Sequence, residues 1–178
     1  LYPEQQLQMV RTMLDIYKES GWLPKWELNS TETFTMVGDP ASIVLADTYL
    51  RGLTDFDIQT AYEAMLKGAN TIEGNPIRPG VKEYWKLGYL SVDGGVRGPV
   101  STTQEYNAAD FAIAQIAKKL GKKADYEKFN QQAYSYRKLF DKETHLLRPR
   151  HADGKWYAHF NPESGANVEE NVGYIEGN

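Results

Sequence analysis

The amino-acid sequence predicts an all-α fold of helical hairpins, with a short β-hairpin inserted near the C-terminus. Apolar residues recur at three- and four-residue steps in five separate stretches, which is the period of an amphipathic helix. After Asp141 this period gives way to short extended segments around the turn sequence Ala152-Asp153-Gly154, and this change predicts the β-hairpin. A chain of 178 residues is long enough for one hydrophobic core, so a single domain is expected.

The helices are assigned from apolar spacing and from the residues at their ends. Asp39, followed by Pro40, and Asp57 are suited to cap helices, and glycines follow most of the stretches. A long loop with Trp22 and Trp26 separates the first helix from the second. The predicted helices cover about residues 3–20, 39–52, 57–68, 81–87, 103–120 and 124–140. The second and third form one hairpin and the last two form another, an α/α architecture whose loops lie at the helix ends.

Composition excludes several classes of function. The chain has 20 Lys and Arg against 24 Asp and Glu, a net charge of −4, so we expect no nucleic-acid partner. It has no cysteine, which excludes disulfides, thiolate nucleophiles and Cys-ligated metal sites. No apolar run approaches the about 20 residues of a membrane span, so no membrane insertion is expected. The sequence also lacks the Gly-x-Ser-x-Gly, Walker and His-Glu-x-x-His motifs.

Carboxylates beside aromatic residues remain as candidates for chemistry. Trp26 and Asp39 lie in or next to one predicted loop, and Glu105 lies near the start of a helix. Sugar rings stack on indoles, and paired acids cleave glycosidic bonds. Each residue also has a structural interpretation: Trp26 as a loop anchor, Asp39 as a helix cap and Glu105 as a first-turn acid. These residues alone therefore leave a glycosidase and a structural role open.

Four segments, taken together, resemble the glycoside hydrolase family 92 α-mannosidases. They follow one another in the order of the family and cover nearly the whole chain. The segments are Gly21-Trp22-Leu23-Pro24-Lys25-Trp26 with Met36-Val37-Gly38-Asp39, Ser101-x-Thr103-x-Glu105-Tyr106, Arg148-Pro149-Arg150 with Asp153-Gly154-x-Trp156, and Tyr174-x-Glu176-Gly177-Asn178.

The resemblance implies part of an (α/α)6 barrel whose enzyme removes mannose from the ends of α-mannosides, with inversion and with calcium as cofactor. The glutamate of the Glu-Gly-Asn motif is the general acid of the family, so Glu176 is expected to protonate the leaving oxygen. Trp26, Asp39, Glu105, Arg150 and Asn178 are expected to bind the substrate, a mannose-containing oligosaccharide with α-1,2 linkages. The calcium ligands are not identified by the motifs.

The resemblance also implies a longer parent chain. Residues 1–178 would be a fragment of one (α/α)6 catalytic domain whose partners are a preceding β-sandwich and the rest of the barrel. The catalytic base of the family belongs to a later motif, so the fragment alone is expected to be inactive. By analogy, the protein is expected in the periplasm, at the bacterial cell surface or secreted. Two alternatives stay open: a non-catalytic helical carbohydrate-binding or scaffolding module, and another (α/α)6 glycosidase.

Overall fold

The computed structural model describes residues 2–163 and 173–175, and most of their regular structure is helical. The α-helices are α1 (Pro3–Ser20), α2 (Pro40–Leu50), α3 (Ile58–Asn70), α4 (Val81–Leu87), α5 (Pro99–Lys119) and α6 (Lys123–Ala133). Two antiparallel ladders of two-residue strands accompany them, β1 (Glu27–Leu28) with β2 (Thr31–Glu32) and β3 (Phe140–Asp141) with β4 (Leu146–Leu147). The prediction of an all-α fold with a small β-hairpin near the C-terminus is confirmed.

Several helix ends lie where the capping residues predict them. Gly21 adopts a left-handed conformation after α1, with φ of +82°, and its N–H donates to the carbonyl of Tyr17. The Asp57 carboxylate accepts hydrogen bonds from the first N–H groups of α3. These contacts satisfy backbone groups that a helix leaves without internal partners.

Three predicted boundaries are wrong, each for a local reason. Gly68 does not end α3, because it keeps a helical conformation at a buried position while other glycines adopt a left-handed one. α5 begins four residues before the predicted start, because Gly98 adopts a left-handed conformation ahead of Pro99 at the first position. α6 ends at Ala133 and is followed by a short 3-10 helix, Ser135–Lys138, where a continuous helix was predicted.

The β-hairpin near the C-terminus pairs differently from the prediction. Residues 146–150 were expected to pair with 156–160, but Leu146 and Leu147 pair with β3, the strand before them. The turn between β3 and β4 contains His145 with a φ of +59°. The predicted pairing is limited to one bridge between Arg150 and Trp156.

The main hydrophobic core lies between α1, α2, α3, α5 and α6. Fully buried members from these helices are Val10, Leu45, Met65, Ile113, Ile116 and Phe129. α5 packs against α2, α3 and α6, and so lies at the centre of the assembly. Within residues 2–163 and 173–175, none of the helices has the length and apolar character of a membrane span.

Candidate functional site

The start of α2 is fixed by the carboxylate of Asp39. Its Oδ1 accepts a hydrogen bond from the N–H of Ser42 at 3.4 Å, and Pro40 occupies the first turn. Its Oδ2 accepts two hydrogen bonds from Arg78, from Nε at 3.0 Å and from Nη2 at 2.9 Å. The Asp39 side chain is only 2% exposed. The structure therefore confirms the capping interpretation of Asp39 and places its carboxylate against internal donors.

Arg78 joins the start of α2 to the middle of α5. The loop before α4 carries it, and its Nη1 donates to Oδ1 of Asp110 at 2.6 Å. The other oxygen of Asp110 accepts from the hydroxyl of Tyr84 at 2.7 Å. Burial alone lowers the pKa of Arg78, but the charges of Asp110 and Asp39 raise it above its ordinary value. A permanent buried cation thus holds two carboxylates from distant parts of the chain.

Glu105 lies in the second turn of α5 and packs against Gly38. A Cβ on Gly38 would lie 2.9 Å from both Cβ and Oε2 of Glu105, so only glycine fits there without displacement. Burial raises the pKa of Glu105 above its ordinary value. Within the described residues, no hydrogen bond or ion pair occupies its carboxylate, and the residue is still solvent-exposed. Glu105 is therefore an acidic group that is available to a ligand.

Hydrogen bonds of Glu32 and Lys25 hold the loop that carries Trp26 in place. Glu32 accepts hydrogen bonds from the backbone N–H groups of Lys25 and Trp26, at 2.6 Å and 2.9 Å. The ammonium of Lys25 donates to the carbonyl of Ile77, one residue before Arg78, at 2.8 Å. Burial lowers the pKa of Lys25 to about 8. Trp26 itself is 44% exposed, so its ring is accessible for stacking on a sugar.

Arg150 belongs to a different group of residues. Its Nε donates to the carbonyl of Gly154 and its Nη1 to the carbonyl of Lys138. Its guanidinium lies 4.3 Å from the ring centre of Trp156, within the range of a cation–π contact. In the described part of the chain, no hydrogen bond or ion pair joins Arg150 to Asp39 or Glu105.

Residues 173–175 return to the first turn of α5. The carbonyl of Gly173 accepts from the N–H groups of Val100 and Ser101, at 3.1 Å and 3.3 Å. The N–H of Ile175 donates to Oγ of Ser101 at 3.0 Å. Ser101 precedes Glu105 by one helical turn, so both lie on the same face of α5. Glu176 and Asn178, the predicted general acid and one predicted sugar ligand, lie outside the described residues.

The structure thus groups some of the predicted site residues and not others. Glu105 packs against Gly38, the residue before Asp39, and Trp26 belongs to the loop that precedes Gly38. Sequence reasoning missed Arg78 and Lys25, which position this region. The one available signal was a loop rich in glycine and proline over residues 70–100, because such long loops in compact domains often carry function.

The site residues described above do not by themselves form a cation site. Within residues 2–163 and 173–175, no cluster of three or more His, Cys, Asp or Glu residues could hold a metal ion. The buried carboxylates of Asp39 and Asp110 are both already paired with Arg78. The described residues therefore do not fit a complete calcium site, which takes six to eight oxygen ligands.

Comparison with known proteins decides the family. The model of the glycosyl hydrolase family 92 catalytic domain matches residues 1–178, the whole chain. The chain belongs to glycosyl hydrolase family 92. The resemblance of its motifs to this family is confirmed, and with it the assignment to the glycoside hydrolases.

Solved structures of family 92 share the fold. The α-mannosidase BT3965 from Bacteroides thetaiotaomicron, in complex with mannoimidazole, is 35% identical with a TM-score of 0.88; the match covers 99% of this chain and 23% of that one. The inverting mannosidase BT2199 from the same organism is 30% identical with a TM-score of 0.85, over 92% of this chain and 22% of that one. The helices described above thus form part of the family 92 fold.

A curated relative gives a further match. An uncharacterized secreted glycosidase from Arthroderma benhamiae is 30% identical over an alignment of 170 positions, and the match covers 81% of this chain and 21% of the relative. The chain therefore spans only about a fifth of the length of its family 92 relatives.

Proposed function

We propose that this chain is part of a longer polypeptide that acts as an exo-acting, inverting α-mannosidase. The observation that carries the proposal is the match, at 30% identity or more, to two solved family 92 mannosidases over at least 92% of the chain. The exposed ring of Trp26 and the available carboxylate of Glu105 are the residue types that sugar binding needs.

Glu176 is proposed as the general acid, which protonates the oxygen of the leaving sugar. The described segment that ends at Ile175, one residue before it, is hydrogen-bonded to Ser101 on α5. A general acid must hold its proton near neutral pH, and a raised pKa provides this. In an inverting enzyme the base that activates water lies about 6.5–9.5 Å from the acid, and we propose that this base lies beyond residue 178.

Substrate binding is proposed to involve two kinds of residue. Trp26 would stack on the sugar and Glu105 would accept hydrogen bonds from its hydroxyl groups. Asp39 would contribute indirectly, by holding Arg78 and the start of α2 in place, because its two oxygens already accept hydrogen bonds from Ser42 and Arg78. Arg150 and Asn178 complete the proposed set.

Calcium dependence is also part of the proposal. Calcium prefers oxygen ligands, and the described residues supply no complete set of them. The proposed ligands therefore include residues outside the described ranges.

The relatives support a mannose-containing substrate and a location outside the cytosol, and the α-1,2 linkage is part of the proposal. An α-1,2-linked mannose at the end of an oligosaccharide, such as an N-glycan, is the proposed substrate. Because the relative from Arthroderma benhamiae is a secreted glycosidase, we propose that this protein also works outside the cytosol.

The test uses the full-length polypeptide that contains these residues. It should release mannose from α-1,2-mannobiose and from an aryl α-mannoside, and a chelator should abolish both activities until calcium is restored. Glu176→Gln should lower kcat on mannobiose by about 10²–10⁴-fold. The loss should be smaller on an aryl mannoside with a good leaving group, which needs less protonation.

Glu127→Gln is the matched control, because the Glu127 side chain is 64% exposed on α6; it should leave both rates unchanged. If Glu176→Gln lowered kcat equally on the two substrates, Glu176 would not be the general acid. Binding of mannosides without hydrolysis would support a carbohydrate-binding module instead. Hydrolysis of a different glycoside would support another glycosidase.

A further inference from the structure

The loop segment that carries Trp26 is attached at both ends to two consecutive residues of the chain. At its start, the ammonium of Lys25 donates to the carbonyl of Ile77 at 2.8 Å. At its end, the carboxylate of Asp39 accepts from Nε and Nη2 of Arg78, at 3.0 Å and 2.9 Å. Residues 26–38 lie between these two anchors, so the position of the segment depends on both.

The residues that receive the two anchors are themselves fixed to the end of α3. The N–H groups of Ile77 and Arg78 both donate to Oδ1 of Asn75 at 3.0 Å. The amide of Asn75 donates in turn to the carbonyls of Gly68 and Thr71, both at 2.8 Å. The anchoring point is therefore tied to the helical framework and not to another loop.

Lys25 is the anchor that costs stability. It is only 8% exposed, and burial lowers its pKa to about 8. The charges that face its ammonium are the carboxylates of Asp39 and Glu32, which attract it, and the guanidinium of Arg78, which repels it. An apolar side chain of similar length, such as methionine, would carry no such desolvation cost. Side chains that reduce stability in this way are typical of functional sites, where proteins accept a local cost.

The two proposed sugar contacts lie next to the two anchors. Trp26 follows Lys25 directly in the chain. Glu105 packs against Gly38, the residue before Asp39. We propose that Lys25 is a positioning residue for mannoside binding, which fixes the ring of Trp26 relative to Glu105. The inference rests on the proposed mannosidase function, because it concerns the same site.

The charge of Lys25 makes this role dependent on pH. A hydrogen bond from an ammonium is roughly twice as strong as one between neutral groups, so loss of the proton weakens the bond to Ile77. It also ends the attraction to Asp39 and Glu32. Burial alone raises the pKa of Glu32, but hydrogen bonds from backbone N–H groups lower it below its ordinary value, so Glu32 stays ionised, and Arg78 is charged throughout. Mannoside affinity should therefore fall as the pH rises through about 8.

The test measures binding rather than turnover in the full-length polypeptide. Glu176→Gln is introduced into every variant, so that α-1,2-mannobiose is bound without being hydrolysed and the titration of the proposed acid does not contribute. The Kd is measured by calorimetry from about pH 6.5 to about pH 9.5, a range that spans the pKa of Lys25.

With Lys25 present, the Kd should rise at least about fivefold over this range, because the charge-assisted hydrogen bond is lost. Lys25→Met should raise the Kd about tenfold at neutral pH and remove the pH dependence. Lys25→Arg keeps a charged donor at every pH, so its Kd should not rise across the range.

Lys138→Met is the matched control, because Lys138 is exposed and its ammonium also donates to a backbone carbonyl, that of Leu87, at 2.6 Å. It should leave the Kd unchanged at every pH. A Kd that is independent of pH with Lys25 present overturns the proposal, and so does equally tight binding by Lys25→Met, whatever its change in stability. The pH profile with Lys25 present needs no substitution at this position, so the proposal stays testable should the variants not fold.

Failure of this inference is distinguishable from failure of the proposed function. Mannobiose binding that is insensitive to pH and to substitution of Lys25 would overturn the inference and leave the mannosidase intact. If no variant binds mannobiose and the full-length polypeptide hydrolyses no mannoside, the proposed function fails, and the inference fails with it.

Discussion

Removal of Arg78 should be among the most destabilising single changes in this chain. Arg78 is fully buried and makes three hydrogen bonds, two to Asp39 and one to Asp110. Arg78→Met leaves two buried carboxylates without their cation. Breaking a buried ion pair in this way costs about 3–5 kcal/mol, so we expect the melting temperature to fall by about 10 °C.

Arg11 is a matched control on the surface. Its guanidinium also makes three hydrogen bonds, all to Asp55, and the two side chains are 42% and 88% exposed. Because water screens such pairs, Arg11→Met should cost only about 0–1 kcal/mol. Both arginines make three hydrogen bonds, but two of those of Arg11 go to a backbone carbonyl, so the comparison contrasts a buried ion-pair network with one exposed ion pair.

The assay is urea denaturation of the variants, followed by tryptophan fluorescence. The triple variant Arg78→Met with Asp39→Asn and Asp110→Asn should recover most of the lost stability, since none of these three buried positions then carries a charge and asparagine still caps α2. If Arg78→Met lowered the free energy of unfolding by less than about 1 kcal/mol, as little as Arg11→Met, burial would not make the ion pairs of Arg78 costly to break. A triple variant no more stable than Arg78→Met alone would contradict the same point.

Three further predictions concern the same region. Gly38→Ala should cost at least about 1 kcal/mol more than Gly52→Ala, because both glycines have a φ of +91° but only at Gly38 does a Cβ meet Glu105; equal melting temperatures would contradict this. Lys25 has its pKa lowered by burial from 10.5 to about 8, so the folded form loses its proton first and stability should rise by up to about 3 kcal/mol between pH 8 and 10.5. That rise should be absent in Lys25→Met. Identical denaturation curves of the wild type across this pH range would contradict a lowered pKa of Lys25. Burial raises the pKa of Glu105, so the wild type should lose stability relative to Glu105→Gln as the pH rises from 4 to 7, and a difference of opposite sign would contradict a desolvated carboxylate.

Features with local causes could be predicted from the sequence. The helix caps Asp39 and Asp57 and the stop at Gly21 depend on residues within a few positions, and the structure confirms them. The β-hairpin was predicted, but its pairing was not, because the choice between two neighbouring strands depends on the turn at His145. Sequence patterns carry little information on such a choice.

Features with distant causes could not be predicted. Arg78 pairs with Asp39 and Asp110, which lie 39 and 32 positions away, and no periodic pattern links them. α5 is apolar on two sides, because Ala108 and Phe111 line an exposed apolar groove while Ile113 lies in the core. The sequence of a helix that is apolar on two sides does not show which side packs against the other helices of the core. The predicted sugar-binding roles of Trp26, Asp39, Glu105, Arg150 and Asn178 stay predictions.

The configuration of the first product decides whether the full-length polypeptide that contains these residues is an inverting α-mannosidase. Proton NMR spectra recorded during hydrolysis of an α-mannoside by the full-length polypeptide separate the two anomers of free mannose before they equilibrate. If the enzyme inverts the anomeric configuration, β-mannose is formed first and Glu176→Gln slows its formation. α-Mannose as the first product would contradict inversion, and a spectrum in which no mannose accumulates would contradict the proposed activity itself.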